Sequence, residues 1–494
     1  MKYLLGYDIG SSSVKAALVE VSTGKPVATV FSPANEMPIS SPRPGFAEQD
    51  PDMWWNELIH ATSKLRDQIS FQPDEIEAIG ISYQMHGLVC VDQSMKPLRP
   101  SIIWCDSRAV EIGNTAMKHL GEKFCLQHFL NAPGNFTASK LKWVKDHEPA
   151  LYEKIYKVML PGDYIALKLS GEISTTVSGL SEGIFWDYKN NGTASDLLRE
   201  YGIDESLLSP VVKTFSIQAR LSSDAASLLH LKAGIPISYR AGDQPNNAYS
   251  LNVLQPGEIA ATAGTSGVVY GVTDVKPFDE KSRVNTFIHV NHTTEQPRYG
   301  VLLCINGTGI LNSWLRKNFF DGVSYDRMNS QAQEISIGAE GVKFYPFGNG
   351  SERILENADP GAGLQGLHFN RHHRGHIARA AQEGIVFAMN YGMEIMKGMN
   401  MNLQTVRAGH ANMFLSDVFA STFANATGCI IELFNTDGAL GAARAAGVGS
   451  GIYGSFSESF KGMEMIKRIE PDKKFQEKTM EVYQEWKDGV AGLL

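Results

Sequence analysis

Ala241-Gly242-Asp243-Gln244-Pro245-Asn246-Asn247 lies almost at the midpoint of the chain. It follows the short apolar run Ile235-Pro236-Ile237 and precedes a small-residue helical run from Ala248. An acid at the end of a strand, where a helix opens, faces the crevice in which α/β sheets hold ligands. Gly242 permits a tight turn and close approach of a substrate. Asp243 is therefore a candidate general base. An aspartate at a helix start is also a common N-cap, and this stretch alone leaves both readings open.

The 494 residues around it exceed what one hydrophobic core fills, so two α/β domains are expected. The expected boundaries are 1–240 and 241–469, with a charged amphipathic helix in 470–494 packing back on the first domain. A hydrophobic content of 43% and a charged content of 20% are those of an ordinary globular protein. The net charge of −8 argues against nucleic acid as the main partner. Cys90, Cys105, Cys125, Cys304 and Cys429 are scattered without Cys-x-x-Cys spacing, as expected of buried thiols in a reducing cytoplasm. No apolar run is long enough to span a membrane, and the one at the N-terminus is too short for a signal peptide.

Tyr3–Tyr7 and Val14–Val21 read as two strands joined by Asp8-Ile9-Gly10-Ser11-Ser12-Ser13. Small residues let backbone N–H groups face an anion, and hydroxyls add donors. Gly10, Ser11 and Ser12 thus form a candidate phosphate hairpin, with Asp8 able to hold a cation directly or through water. The pattern recurs: Ile9-Gly10-Ser11-Ser12-Ser13-Val14 aligns with Ala263-Gly264-Thr265-Ser266-Gly267-Val268. Glu258–Thr262 and Gly267–Val272 supply the flanking strands, and Thr262 stands in the place of Asp8. Two such hairpins, opening two half-chains, point to two related domains that share a polyphosphate.

Other strand ends carry polar residues. Ile76–Ile81 runs into Ser82-Tyr83-Gln84-Met85-His86-Gly87, where Gln84 and His86 suit recognition of hydroxyls, although a lone histidine there can be structural. Ile102-Ile103-Trp104-Cys105-Asp106-Ser107-Arg108 repeats the design, with an Asp106–Arg108 ion pair as the plainer reading. Met117–Leu130 and Phe136–Asp146 read as helices, and Thr175–Ser181 as a polar run, either solvated or lining a cleft. In the second half, Asn306-Gly307-Thr308-Gly309 precedes an apolar helix. Ala408-Gly409-His410-Ala411-Asn412 is a glycine turn able to receive a nucleotide base or sugar against backbone. His368, His372, His373 and His376 are clustered, but their flexible spacing and arginine neighbours argue against a metal site.

Together these pieces resemble the FGGY-family carbohydrate kinases, and within them the xylulokinases, over essentially the whole length. The resemblance rests on Asp8-Ile9-Gly10, Gln84-Met85-His86-Gly87, Trp104–Arg108, the helix Phe136–Trp143, Asp243, Gly264-Thr265-Ser266-Gly267 and the stretch from Ala362 to Glu383. Ala241-Gly242-Asp243-Gln244 stands where the family usually has Gly-Gly-Asp-Asn, and Ala408-Gly409-His410 where it has Gly-Gly-Gly. The resemblance implies two ribonuclease-H-like domains of the actin-like ATPase type with a cleft between them. It implies ATP and Mg²⁺, and phosphorylation of a ketopentose such as D-xylulose. It assigns catalysis to Asp243, the metal to Asp8 and Asp243, and the sugar to Gln84, Met85, His86, Asp106, Asp243 and Gln244. The nucleotide falls to Gly10, Ser11, Ser12, Gly264, Thr265, Ser266, Gly309, Gly409, His410 and Asn412. Neither nucleic acid nor membrane is an expected partner, and a homodimer is left open. The alternatives are a kinase for L-ribulose, L-fuculose or glycerol, and a non-catalytic sugar- or nucleotide-sensing relative.

Overall fold

Near-continuous apolar runs, unlike alternating ones, form strands buried on both faces. Tyr3–Ile9 (β1), Val14–Glu20 (β2), Pro26–Ser32 (β3), Ile76–Tyr83 (β4), Phe215–Arg220 (β5) and Pro236–Gly242 (β6) make one sheet. Its order is β5-β6-β4-β1-β2-β3. β1 pairs antiparallel with β2 and parallel with β4, and β6 continues the sheet parallel to β4. The computed structural model describes residues 1–494, apart from the side chain of Glu352.

A second sheet holds Glu258–Ala263 (β7), Gly267–Thr273 (β8), Asn285–Ile288 (β9), Tyr299–Ile305 (β10), Thr405–Gly409 (β11), Ile430–Phe434 (β12) and Met465–Ile469 (β13), in the order β9-β10-β8-β7-β11-β12-β13. β7 pairs antiparallel with β8 and parallel with β11, β11 is parallel to β12, and β12 is antiparallel to β13. The directions through β2-β1-β4-β6-β5 are therefore those through β8-β7-β11-β12-β13. The duplication seen in the two hairpins is a duplication of sheets. The first hairpin closes on residues 10–13, with Ile9 opposite Val14; the second closes on 264–266, with Ala263 opposite Gly267.

Helices cover the sheets. Those that matter for the site are Pro51–Gln68 (α1), Thr137–His147 (α2), Val177–Glu182 (α3), Asp243–Ser250 (α4), Gly309–Phe319 (α5), Arg374–Gly398 (α6), Asp417–Thr427 (α7), Gly438–Gly449 (α8) and Lys473–Ala491 (α9). The small residues of α8 let it lie directly on the first sheet. A Cβ at Gly6 would come within 1.9 Å of the Ala439 carbonyl oxygen, and one at Gly80 within 2.0 Å of that of Ala442.

The chain divides into two units, each with its own apolar core. The first comprises Met1–Asn252, Phe287–Tyr299 and Thr436–Met463; the second Val253–Thr286, Gly300–Asn435 and Glu464–Leu494. The expected boundary at 240/241 is thus corrected. Gly242 ends a strand hydrogen-bonded to β4, so Asp243 belongs to the first unit. The closing helix is corrected too: α9 buries Val482, Tyr483, Trp486 and Val490 in the core of the second unit, and the Trp486 indole donates to the Phe344 carbonyl. The expected helix over 117–130 is two, Val110–Leu120 and Glu122–Phe129, broken at Gly121 with φ of 93°. Cys90, Cys125 and Cys429 are buried, whereas Cys105 is exposed and Cys304 half-buried. No helix among the described residues is long and apolar enough to cross a membrane.

Candidate active site

Asp243 is the first residue of α4, and the N-cap position is Gly242, which has no side chain to cap with. The capping account of Asp243 therefore fails. The residue as a whole is partly accessible. Burial, then the nearby charge of Asp8, push its carboxyl up to about 7, against opposing hydrogen bonds from Gln244. Asp8 sits near the end of β1, opposite Ser82 of β4, whose hydroxyl donates to it at 2.8 Å. Burial raises Asp8 as well; Lys15 and Ser82 oppose this, and Asp437 adds to it. A Cβ on Gly438 would lie 2.5 Å from Asp8 Oδ2, so only glycine leaves this carboxylate room at the start of α8. Asp437 caps α8 through the Leu440 N–H.

The charge of Asp8 raises Asp243, and Lys15 is the cation that offsets Asp8. Mg²⁺ takes one or two carboxylates together with water and phosphate oxygens, and this donor set fits it. No group of three or more metal-ligating side chains occurs among the described residues. The histidine cluster has local roles instead. His373 caps α6 by accepting from the Gly375 N–H, and His372 Nδ1 accepts from the His368 N–H.

Beside Asp243, the strand end of β4 delivers Gln84, Met85 and His86. Met85 is buried, and a Cβ on Gly242 would come within 2.6 Å of its Cγ. His86 adopts left-handed backbone with φ of 61°, uncommon for a side chain of its size. Its ring packs against Phe136 and Phe287, at centroid distances of 5.0 and 5.3 Å. Its Nδ1 lies 2.8 Å from the Glu182 carbonyl oxygen and must donate there, so Nε2 of the neutral ring is an acceptor. Gln84 is buried; its amide reaches Gln49 at 3.4 Å, and Gln49 in turn donates to the Ser11 carbonyl.

Asp106 is a correction. It is fully buried, accepts the Ala47 N–H at 2.6 Å and forms a bidentate pair with Arg108, so no lone pair is left for a substrate. The plainer sequence reading, an ion pair, is the one realised. It stiffens the loop that leaves Trp104 half exposed, its indole 3.4 Å from the Ser11 hydroxyl.

Glu182 carries no sequence signal of its own: it follows Thr175–Ser181, a polar run that reads as either solvated or lining a cleft. The stretch is instead buried and helical from Val177, and it ends on Glu182. The Glu182 Oε2 would lie 2.3 Å from a Cβ on Gly242. Burial, then the charges of Asp243 and Asp163, raise this carboxyl well above the usual range, and Tyr83 hydrogen-bonds to it.

In the second unit, three predicted elements meet. The Gly309 N–H donates to the Gly264 carbonyl at 2.7 Å, and Ile310 to that of Thr265, which seats the α5 N-terminus on the β7–β8 hairpin. The Ser266 hydroxyl donates to Asn306. Asn412, at φ of 55°, places Nδ2 3.6 Å from where a Gly264 Cβ would be. Thr265, His410 and Asn412 are exposed. A helix N-terminus beside a hairpin of small residues fits a polyphosphate. In the first unit Gly10, Ser11 and Ser12 are likewise accessible, although the Gly10 N–H is committed to Ser13 at 3.0 Å.

Residues 3–249 match the N-terminal domain, and residues 259–450 the C-terminal domain, of the FGGY family of carbohydrate kinases. The xylulose kinase of Bacillus subtilis (strain 168) is 29% identical over 469 residues, covering 93% of this chain and 90% of that protein. The solved xylulose kinase from Rhodospirillum rubrum superposes with a TM-score of 0.88 at 24% identity, covering 100% of this chain and 99% of that one. The gluconate kinase from Lactobacillus acidophilus superposes equally well, at 0.88 and 21% identity over 100% and 98% of the two chains. With both domains matched in order along the chain, this protein belongs to the FGGY family of carbohydrate kinases and is a phosphotransferase acting on a sugar hydroxyl.

Proposed function

We propose that this kinase transfers the γ-phosphoryl group of ATP to the terminal hydroxyl of a ketopentose, with D-xylulose the best acceptor. The observation that supports this most is Asp243, a partly accessible residue whose carboxyl is pushed up to about 7, beside the Met85-His86 strand end. A base works best when its pKa lies near the operating pH. Asp243 takes the proton of the attacking hydroxyl, and Met85, His86 and Gln244 orient the sugar. In the second unit, the Gly264–Ser266 hairpin, seated against Gly309, holds phosphate. Asp8 and Asp243 hold Mg²⁺, which when bound supplies charge stabilisation to the phosphates. Most of the rate then comes from positioning and electrostatics, as in other phosphoryl transfers.

The choice of D-xylulose follows the xylulose kinases among the relatives; the gluconate kinase with the same fold keeps other acceptors in the comparison. An ADP-release assay over ketopentoses, deoxysugars, aldonates and polyols tests it. D-xylulose is expected to give the highest kcat/KM; another acceptor ahead by about tenfold, which is about 1.4 kcal/mol, overturns the choice.

Because the working form of Asp243 is the carboxylate, kcat/KM should fall as pH drops through about 7, by up to tenfold per unit below it. The sign follows from the working form: only the carboxylate can take the proton, and acid fills it. A flat profile between about pH 5.5 and 8 counts against Asp243 as the base. His86→Ala should raise the sugar KM by about 10- to 100-fold, the loss of one buried hydrogen-bonding partner, and leave the KM for ATP within about twofold. Paired steady-state titrations of sugar and ATP measure this.

A further inference from the structure

Lys140, on α2, is fully buried, and the nearby Asp106 carboxylate is paired with Arg108. Its Nζ donates to two backbone carbonyls, His86 at 2.9 Å and Ile103 at 3.0 Å. These carbonyls belong to different segments. One is in the turn after β4 that presents Met85 and His86; the other opens the loop through Trp104, Cys105 and Asp106. Burial brings the amine down to about 7 even though the charge of Asp106 favours the protonated form.

A buried lysine whose nearby acid is already paired with an arginine is an expensive way to fill the site. An apolar residue of similar volume is usually neutral or better for stability where a charge is buried. What Lys140 does, and an apolar residue cannot, is tie two carbonyls together. One of them belongs to His86, whose left-handed backbone is intrinsically unfavourable and persists only where its surroundings hold it. The ring is held separately, by the Glu182 carbonyl and by Phe136 and Phe287.

We propose that Lys140 is a positioning residue for the acceptor sugar, clamping the 84–87 turn to the 103–106 loop so that the His86 ring is held in the orientation that meets the substrate. This rests on the reading of His86 as a sugar contact, and it goes beyond it by naming the side chain that sets that contact without touching substrate.

Lys140→Met keeps the volume and removes the clamp. The expected result is a sugar KM raised about 10- to 100-fold with the KM for ATP within about twofold, in protein whose thermal melt shows it folded. The deciding measurement is the double variant Lys140→Met/His86→Ala. If Lys140 acts through His86, the pair is no worse than the more damaging single change; a merely structural lysine gives multiplicative effects. A folded Lys140→Met with an unaltered sugar KM, an equal rise in both KM values, or multiplicative losses overturns the proposal. If Lys140→Met does not fold, Lys140→Leu, which likewise has no donor, replaces it, and a wild-type sugar KM in that variant is equally fatal. The acceptor is the best substrate of the wild-type protein in the panel. A wild type that prefers a polyol therefore refutes the D-xylulose reading and leaves the Lys140 test intact. A His86→Ala with an unaltered KM refutes the sugar contact itself.

Discussion

Asp243→Asn should lower kcat by about 10²–10⁴, the usual contribution of a general base, with little change in the melting temperature. Asparagine keeps the shape and can still hydrogen-bond a hydroxyl, but it cannot take the proton. The sugar should therefore still bind, which calorimetry without ATP can follow. The structure sharpens this test. Were Asp243 an N-cap, asparagine would serve equally well; but the cap is Gly242, and Asp243 stands one residue inside the helix, facing the charge of Asp8. Removing one of two mutually repelling carboxylates relieves strain, so the folded state has no reason to weaken. A kcat within about threefold of wild type would withdraw Asp243 from the chemistry, since base loss costs far more than that.

Gly309→Ala should weaken nucleotide binding by about 10- to 100-fold while sugar binding stays near that of the wild type. The added methyl would sit 2.4 Å from the Gly264 carbonyl oxygen and 2.9 Å from its carbonyl carbon, and backbone cannot swing aside as a side chain can. Overpacking of this kind costs about 1–3 kcal/mol, and the strain falls on the 2.7 Å hydrogen bond that seats α5 on the hairpin. Gly264 offers an internal control. A methyl there meets nothing closer than 3.6 Å, the Asn412 amide, so Gly264→Ala should be much milder. Titration of both variants with ATP and with a non-hydrolysable analogue measures the difference. Equal effects at the two glycines would mean that the helix seat is not what shapes the phosphate site.

Much of this was legible in the residues. Ile9–Val14 and Ala263–Val268 announce a duplicated hairpin, and two sheets of matching order follow from it. Gly10, Gly264, Gly309 and Asp243 stand at strand or helix ends, where small or acidic residues have a local reason to be. Those reasons act over a few residues, so a linear reading can find them.

What lay beyond the sequence were pairings over long separations. Asp106 looked like a sugar ligand because acids at strand ends often are, yet Ala47, far earlier in the chain, and Arg108 consume it. Glu182 lies just past the polar run Thr175–Ser181 and carries no signal of its own, but tertiary burial makes it the neighbour of Gly242 and the holder of His86. Lys140 looked like one polar position on an amphipathic helix, and it is a fully buried donor to two loops. The boundary at 240/241 failed for the same reason: the pairing of β6 with β4, not local composition, assigns Asp243 to the first unit. Local chemistry in the sequence determined the family, the sheets and the acid at the strand end. Which buried polar groups are consumed by one another, and which are left to face a substrate, was decided only in the folded protein, because the desolvation that forces such pairing exists only once the core has closed.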